Sequence, residues 1–131
     1  MKKVIIMRGV PGSGKSTKAK TYGGIICSAD DFFMQDGVYK FNRKLIYAAH
    51  AHCIYNFEKA LFNKEPLVIV DNTHTRKWEY ERYIKCAERY GYEVVIDSLK
   101  DAGLSCEELA KRNVHGVPIE NIKRMLARWE E

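Results

Sequence analysis

"RGVPGSGKST", residues 8–17, directly follows the apolar run "KVIIM" (3–7), so small residues stand where a strand must turn into something else. Within it, Gly9-x-x-x-x-Gly14-Lys15-Ser16 fits the P-loop spacing, behind an expected strand and ahead of an expected helix. Glycines let successive backbone N–H groups turn inward around phosphate oxygens, where a Cβ would block the approach or forbid a positive φ. Lys15 offers a mobile charge to the β- and γ-phosphates and Ser16 a hydroxyl to magnesium, while the start of the next helix adds a favourable partial charge. The expected nucleotide cradle thus runs from Gly9 through Val10, Pro11, Gly12, Ser13, Gly14, Lys15 and Ser16 to Thr17. An ordinary glycine-rich strand-to-helix turn is the alternative.

Outward from this loop the hydrophobic period alternates between strand and helix. Ser16–Tyr22 reads as a short helix stopped by Gly23-Gly24, and "IICS" (25–28) as a second strand. From about residue 43 to 62, Ile46, Ala49, Cys53, Phe57 and Leu61 recur at helical intervals. "PLVIVD" (66–71) is apolar throughout, as a central parallel strand should be. Tyr80, Tyr83, Ile84, Ala87 and Tyr90 mark a helix ending at Gly91, before a fourth strand "YEVVIDSL" (92–99). Ser105 and Glu108 have capping-box spacing, and Pro118 opens a final helix carrying Ile119, Ile122, Met125, Leu126 and Trp129. The pattern predicts a three-layer α/β domain, a parallel sheet of about four to five strands flanked by helices.

At 131 residues the chain is long enough for one core and too short for two ordinary domains. No apolar stretch approaches the roughly 20 residues of a membrane span, and the four apolar residues before Arg8 are too few for a secretory signal. A cytoplasmic location without membrane contact is expected. Cys27, Cys53, Cys86 and Cys106 lie far apart and form no Cys-x-x-Cys pair, so reduced, mostly buried thiols and no disulfide-linked partner are expected. Lys plus Arg exceed Asp plus Glu by 22 to 17, which suits an anionic ligand of any size.

A phosphate loop does not by itself separate a kinase from a GTPase, an ATPase or a passive binder. The carboxylates narrow the choice. "CSADDFF" puts Asp30 and Asp31 just past the second strand, and "VIVDNTH" puts Asp71 at the end of the third. Ligands of open parallel sheets bind at the carboxyl ends of the strands, so these acids and the loop converge if the strands are neighbours. One acid near a metal and one near an incoming hydroxyl is the minimum equipment of a phosphotransferase. Helix capping is the alternative for Asp30 and for Asp31.

"RGVPGSGKST", "SADDFF", "YKF", "AAHAH", "IVDNTHTRKWE" and "KRNVHGVP" together resemble, over nearly the whole chain, the polynucleotide-kinase-like P-loop kinases, particularly their small AAA-type ATP-binding members. The resemblance implies one P-loop kinase domain over residues 1–131, with the P-loop NTPase fold and a lid at about residues 105–118. It implies binding of ATP with Mg2+, and a polynucleotide 5′-hydroxyl or a small hydroxyl-bearing molecule as the acceptor. By the same resemblance Asp30 is the general base, Lys15 and Ser16 bind phosphate and metal, and Arg112 is an arginine of the lid. Asp71 joins Ser16 as an expected metal ligand. A planar guanidinium on a mobile segment suits charge on a transferring phosphoryl group, although Lys111, Arg124 and Arg128 compete for that role. Two departures stand out: Phe32-Phe33 occupies the place of a phosphate-gripping arginine, and the lid is short, with His115-Gly116 where longer members carry a further basic residue.

Other features read as packing or surface. His50 and His52 are two residues apart on one helix and face different ways. Arg82, Lys85 and Arg89 form a row that Glu81 and Glu88 interrupt, as on a solvated face. Asn72, Thr73 and His74 are expected substrate contacts, and Trp78 a core anchor.

Overall fold

β1 (Lys3–Gly9) runs through the middle of a parallel sheet, because both of its faces are apolar and neither can meet water. In the computed structural model, which describes residues 2–131, it pairs with β5 (Leu67–Asp71) on one side and β6 (Glu93–Lys100) on the other. β2 (Ile25–Cys27) adds to the far side of β5, giving the order β2-β5-β1-β6 with all neighbours parallel. The register sets Ile5 beside Ile69 and Val95, and Met7 beside Asp71 and Asp97.

Side-chain alternation then assigns the two faces. Val4, Ile6, Val68 and Val70 point to a core shared with α2 (Ile46–Phe62) and α3 (Trp78–Arg89), where Phe57 meets Tyr83 edge-on with ring centres 5.0 Å apart. Ile5, Met7 and Ile69 point the other way, onto Ala19 of α1 (Lys15–Thr21). Helix, sheet and helix make three layers, the expected α/β arrangement. Fully burying one such Val, Ile or Met side chain is worth about 1.5–3 kcal/mol, so the continuous run in β1 contributes heavily to holding the layers together.

Between β2 and α2 the chain forms a 3-10 turn, Ala29–Phe33, and a small antiparallel hairpin of β3 (Met34–Gln35) and β4 (Val38–Tyr39). A second 3-10 turn, Arg43–Leu45, leads into α2, so the regular helix starts at Ile46 and not near residue 43. After β6 come α4 (Cys106–Arg112) and α5 (Ile119–Ala127). The capping box read at Ser105 and Glu108 is formed in full. Leu109 and Ile122, both wholly buried, close a third cluster on Val10 of the phosphate loop. No helix among the described residues is long and apolar enough to cross a membrane. The cysteines are free, three of them buried and Cys106 half-buried.

Candidate active site

The loop after β1 is pinned at its base from both sides. Gly9 N–H donates to the Thr73 carbonyl and Val10 N–H to the Lys100 carbonyl, each at 3.0 Å, so the loop opens at the carboxyl ends of β5 and β6. Gly12 (φ 87°) and Gly14 (φ 90°) are left-handed, a conformation that other residues enter only with strain. A Cβ on Gly12 would also lie 2.3 Å from the Leu109 carbonyl oxygen of α4. The bare backbone at Gly12 therefore serves the packing of α4 as well as the approach of a phosphate. Ser13 is buried, and its hydroxyl has no hydrogen-bond partner among the described residues, so it can receive an incoming polar ligand. The loop fits a nucleotide phosphate chain.

Lys15 Nζ lies 2.7 Å from Asp71 Oδ1, at the end of β5. Asp71 is 6% exposed and reaches the site through this lysine. Ser16 and Thr17 line the open side of the pocket at the start of α1. No cluster of three or more His, Cys, Asp or Glu side chains suited to a metal is present among the described residues. One hydroxyl and one carboxylate beside a phosphate site is a donor set that suits Mg2+, which keeps several waters and takes phosphate oxygens as ligands.

Asp30 projects from the 3-10 turn after β2 into the same pocket. The helix-capping role open to it is taken by Ser28, whose hydroxyl accepts from the Asp30 N–H at 3.2 Å. Tyr39 donates to Asp30 Oδ1 at 3.1 Å, and His115 Nε2 lies 3.5 Å from Oδ2. Burial and the neighbouring Asp30 push the Tyr39 phenol well above its ordinary value, so it remains a donor to the carboxylate. The Asp30 side chain is half exposed, which leaves it reachable by a substrate. Asp31 lies outside the pocket lining, and partial burial, then Asp30 and Asp71, raise its carboxyl.

The segment expected as a lid divides in two. Its first half, α4, is docked on the loop through Leu109, and its second half, residues 113–118, lines the mouth of the pocket. Arg112 sits at the junction, with Nη2 4.0 Å from the position a Cβ on Gly14 would take. Lys111 and Arg128 do not line the pocket, and Arg124 does not either. His115 crosses the mouth and lies over Tyr39 with ring centres 3.9 Å apart. Asn113 fixes the crossing, accepting from Val117 N–H at 2.8 Å and donating to the Ala110 and Val117 carbonyls. The pocket volume is about 450 Å³, within the range of small-ligand sites.

Three sequence readings need correction or extension. Asn72 and Thr73 do line the pocket, but His74 does not: it is 2% exposed, with Nδ1 2.9 Å from the Met7 carbonyl. Trp78, expected in the core, is 69% exposed. Tyr80 and Tyr83 occupy the inward stripe of α3, and two residues of helix turn Trp78 about 200° away from Tyr80. His50, read as packing, lines the pocket, and burial followed by the Arg82 charge lowers its basicity. The solvated row on α3 is as expected, with Lys85 3.1 Å from Glu81.

A family profile described as "AAA domain" matches residues 4–131. The chain belongs to this family. The sequence resemblance to polynucleotide-kinase-like P-loop kinases accords with this match, and the sheet and loop are those of the P-loop kinase fold. NEDD4-binding protein 2 of Homo sapiens is similar at 35% identity over 133 residues, which cover 97% of this chain and 8% of that protein. The chain therefore spans less than a tenth of that relative. A solved structure of the Pnkp1/Rnl/Hen1 RNA repair complex contains a chain that shares the fold, with TM-score 0.73 and 21% identity over 97% of this chain and 43% of that one. A second structure of the Pnkp1/Rnl/Hen1 complex aligns with TM-score 0.66 and 26% identity over 85% of this chain and 38% of that one.

Proposed function

We propose that residues 1–131 form one P-loop kinase domain that uses ATP and Mg2+ to phosphorylate a hydroxyl, the 5′-hydroxyl of a polynucleotide. The observation that carries this reading is Asp30, a half-exposed carboxylate facing the same pocket as Lys15, Ser16 and Arg112 and held there by Tyr39. A passive nucleotide binder has no use for an oriented, reachable base across from the phosphate loop.

In this reading the segment Gly9–Thr17 wraps the phosphates and Lys15 leaves Asp71 for the β- and γ-phosphates. Asp30 takes the proton of the acceptor hydroxyl. The acceptor oxygen then forms a bond to the γ-phosphorus, the bond from that phosphorus to the β–γ bridging oxygen breaks, and ADP leaves with the electron pair. Arg112 stabilises charge on the transferring group. Ser16 and Asp71 would hold Mg2+, which supplies charge neutralisation at the phosphates. Free thiols buried at Cys27, Cys53 and Cys86 suit a reducing, cytoplasmic setting.

A nucleic-acid acceptor is favoured by the excess of basic residues and by a relative within an RNA repair complex. The test offers γ-labelled ATP to the protein with 5′-hydroxyl DNA, 5′-hydroxyl RNA, nucleosides and water as rival acceptors. Label on an oligonucleotide is the expected result. Label on nucleosides alone would replace it with a small-molecule kinase, and free phosphate alone with an ATP-hydrolysing module that acts through a partner.

A further inference from the structure

The chain carries no aspartate or glutamate between Asp36 and Glu58, yet this stretch contains Lys40, Arg43 and Lys44. All three are exposed, and none has a carboxylate within ion-pair distance among the described residues. The Asn42 side chain accepts from Lys44 N–H at 3.0 Å, which fixes the turn that presents Arg43 and Lys44. Aromatic rings alternate with these cations. Phe41 is 53% exposed and lines the pocket beside Tyr39, while Tyr47, the second residue of α2, is 87% exposed. The ridge therefore starts inside the pocket at Tyr39 and Phe41 and leaves it across Arg43–Leu45 onto α2.

A row of unpaired cations interleaved with exposed rings matches single-stranded nucleic acid, whose phosphates and unstacked bases alternate in the same way. A folded acidic protein would match the charges but would leave the rings without partners. We propose that this ridge is the path of a single strand whose 5′ end lies at Asp30. The terminal base rests against Phe41, the following phosphates meet Lys40, Arg43 and Lys44, and a later base stacks on Tyr47. The proposal rests on the polynucleotide reading above and adds to it that the strand must be unpaired at its 5′ end, since a base within a duplex has no free face for these rings.

The test measures steady-state transfer to a 5′-hydroxyl 12-mer, as DNA and as RNA, by the wild-type chain, by a combined Lys40→Ala, Arg43→Ala, Lys44→Ala variant, and by Tyr47→Ala and Tyr47→Trp. Melting temperatures confirm that each variant is folded. For the triple variant, KM for the 12-mer should rise at least about tenfold with kcat moving less than about twofold, and the slope of log KM against log salt should fall by about two for three lost phosphate contacts. Tyr47→Ala should raise the same KM by about fivefold or more, and Tyr47→Trp should restore it. Equal KM and equal salt slope for wild type and triple variant would overturn the ridge while leaving the polynucleotide reading in place. A blunt 5′-hydroxyl duplex used better than the single strand would overturn the unpaired path. Failure of the wild-type chain to label any oligonucleotide, with label on nucleosides or free phosphate in the same assay, would overturn both.

Discussion

Lys15 and Asp71 form an ion pair of 2.7 Å in which the two side chains are only 11% and 7% exposed. The strand-end carboxylate thus holds the very charge that the phosphate loop offers to a nucleotide. ATP binding on this account exchanges one anion for another at the lysine, so the loop never carries an uncompensated buried cation.

The first expected outcome concerns that pair. Lys15→Met and Asp71→Asn should each destabilise the ligand-free protein by about 3 kcal/mol or more, because each leaves one nearly buried charge unpartnered. The double variant should be more stable than the sum of the singles implies, with a coupling energy above about 1 kcal/mol. Urea unfolding of the four proteins measures it. Strict additivity would show that the pair is incidental.

Arg112 is exposed and makes no side-chain hydrogen bond among the described residues, so its loss should spare the fold. Arg112→Ala should lower single-turnover transfer by about 10³-fold or more. Arg112→Lys should recover only part of this, since a point charge lacks the planar fork. Wild-type rates in Arg112→Ala would require another cation to reach the phosphates.

Leu109→Ala tests the docking of α4 on the loop. Leu109 is wholly buried against Val10 and Ile122, and a Leu→Ala cavity costs about 2–5 kcal/mol. Because the Leu109 carbonyl also backs Gly12, KM for ATP should rise alongside the loss of stability. Equilibrium unfolding and ATP titration together check this, and a variant with lowered melting temperature but unchanged ATP affinity would separate α4 from the loop's function.

Burial lowers the His74 imidazole from its ordinary value near 6.5 to about 4, against the opposing Met7 carbonyl contact. Below pH 6.5 the unfolded chain takes up a proton that folded His74 refuses, so stability should fall as pH drops from about 6.5 to about 4 and level off beneath that. The loss from this one group is about 3 kcal/mol in full. Comparing urea midpoints of wild type and His74→Gln across that window isolates it. Parallel pH profiles for the two proteins would contradict it.

What the sequence disclosed was whatever lies close together along the chain. The spacing of Gly9, Gly14, Lys15 and Ser16, the apolar run of β1 and the box at Ser105 and Glu108 are local patterns, and the loop, strand and cap each lie where those patterns stand. The hairpin β3–β4 escaped because two-residue strands have no period to detect. Tyr39 and His115 came to Asp30 from distant segments, so their contact was invisible before the chain folded. Arg8 is the clearest instance. It reads as an ordinary charge after an apolar run, yet it is 2% exposed, donating to the His74 and Thr75 carbonyls and lying against Tyr80 and Trp129. Trp78 is the opposite case: its hydrophobic character suggests burial, but its helical angle points it outward from the stripe of Tyr80 and Tyr83.

The central claim is that Asp30 acts as a base on an acceptor hydroxyl, and Asp30→Asn tests it most directly. Asparagine keeps the shape and can still accept from Tyr39, while Ser28 continues to cap the turn, so the fold should stand. The measurement is single-turnover phosphoryl transfer to a 5′-hydroxyl oligonucleotide at saturating ATP, with ATP affinity followed in parallel. Transfer lowered by about 10²- to 10⁴-fold with ATP affinity held or tightened is the expected result. Near-normal transfer by Asp30→Asn would contradict the account.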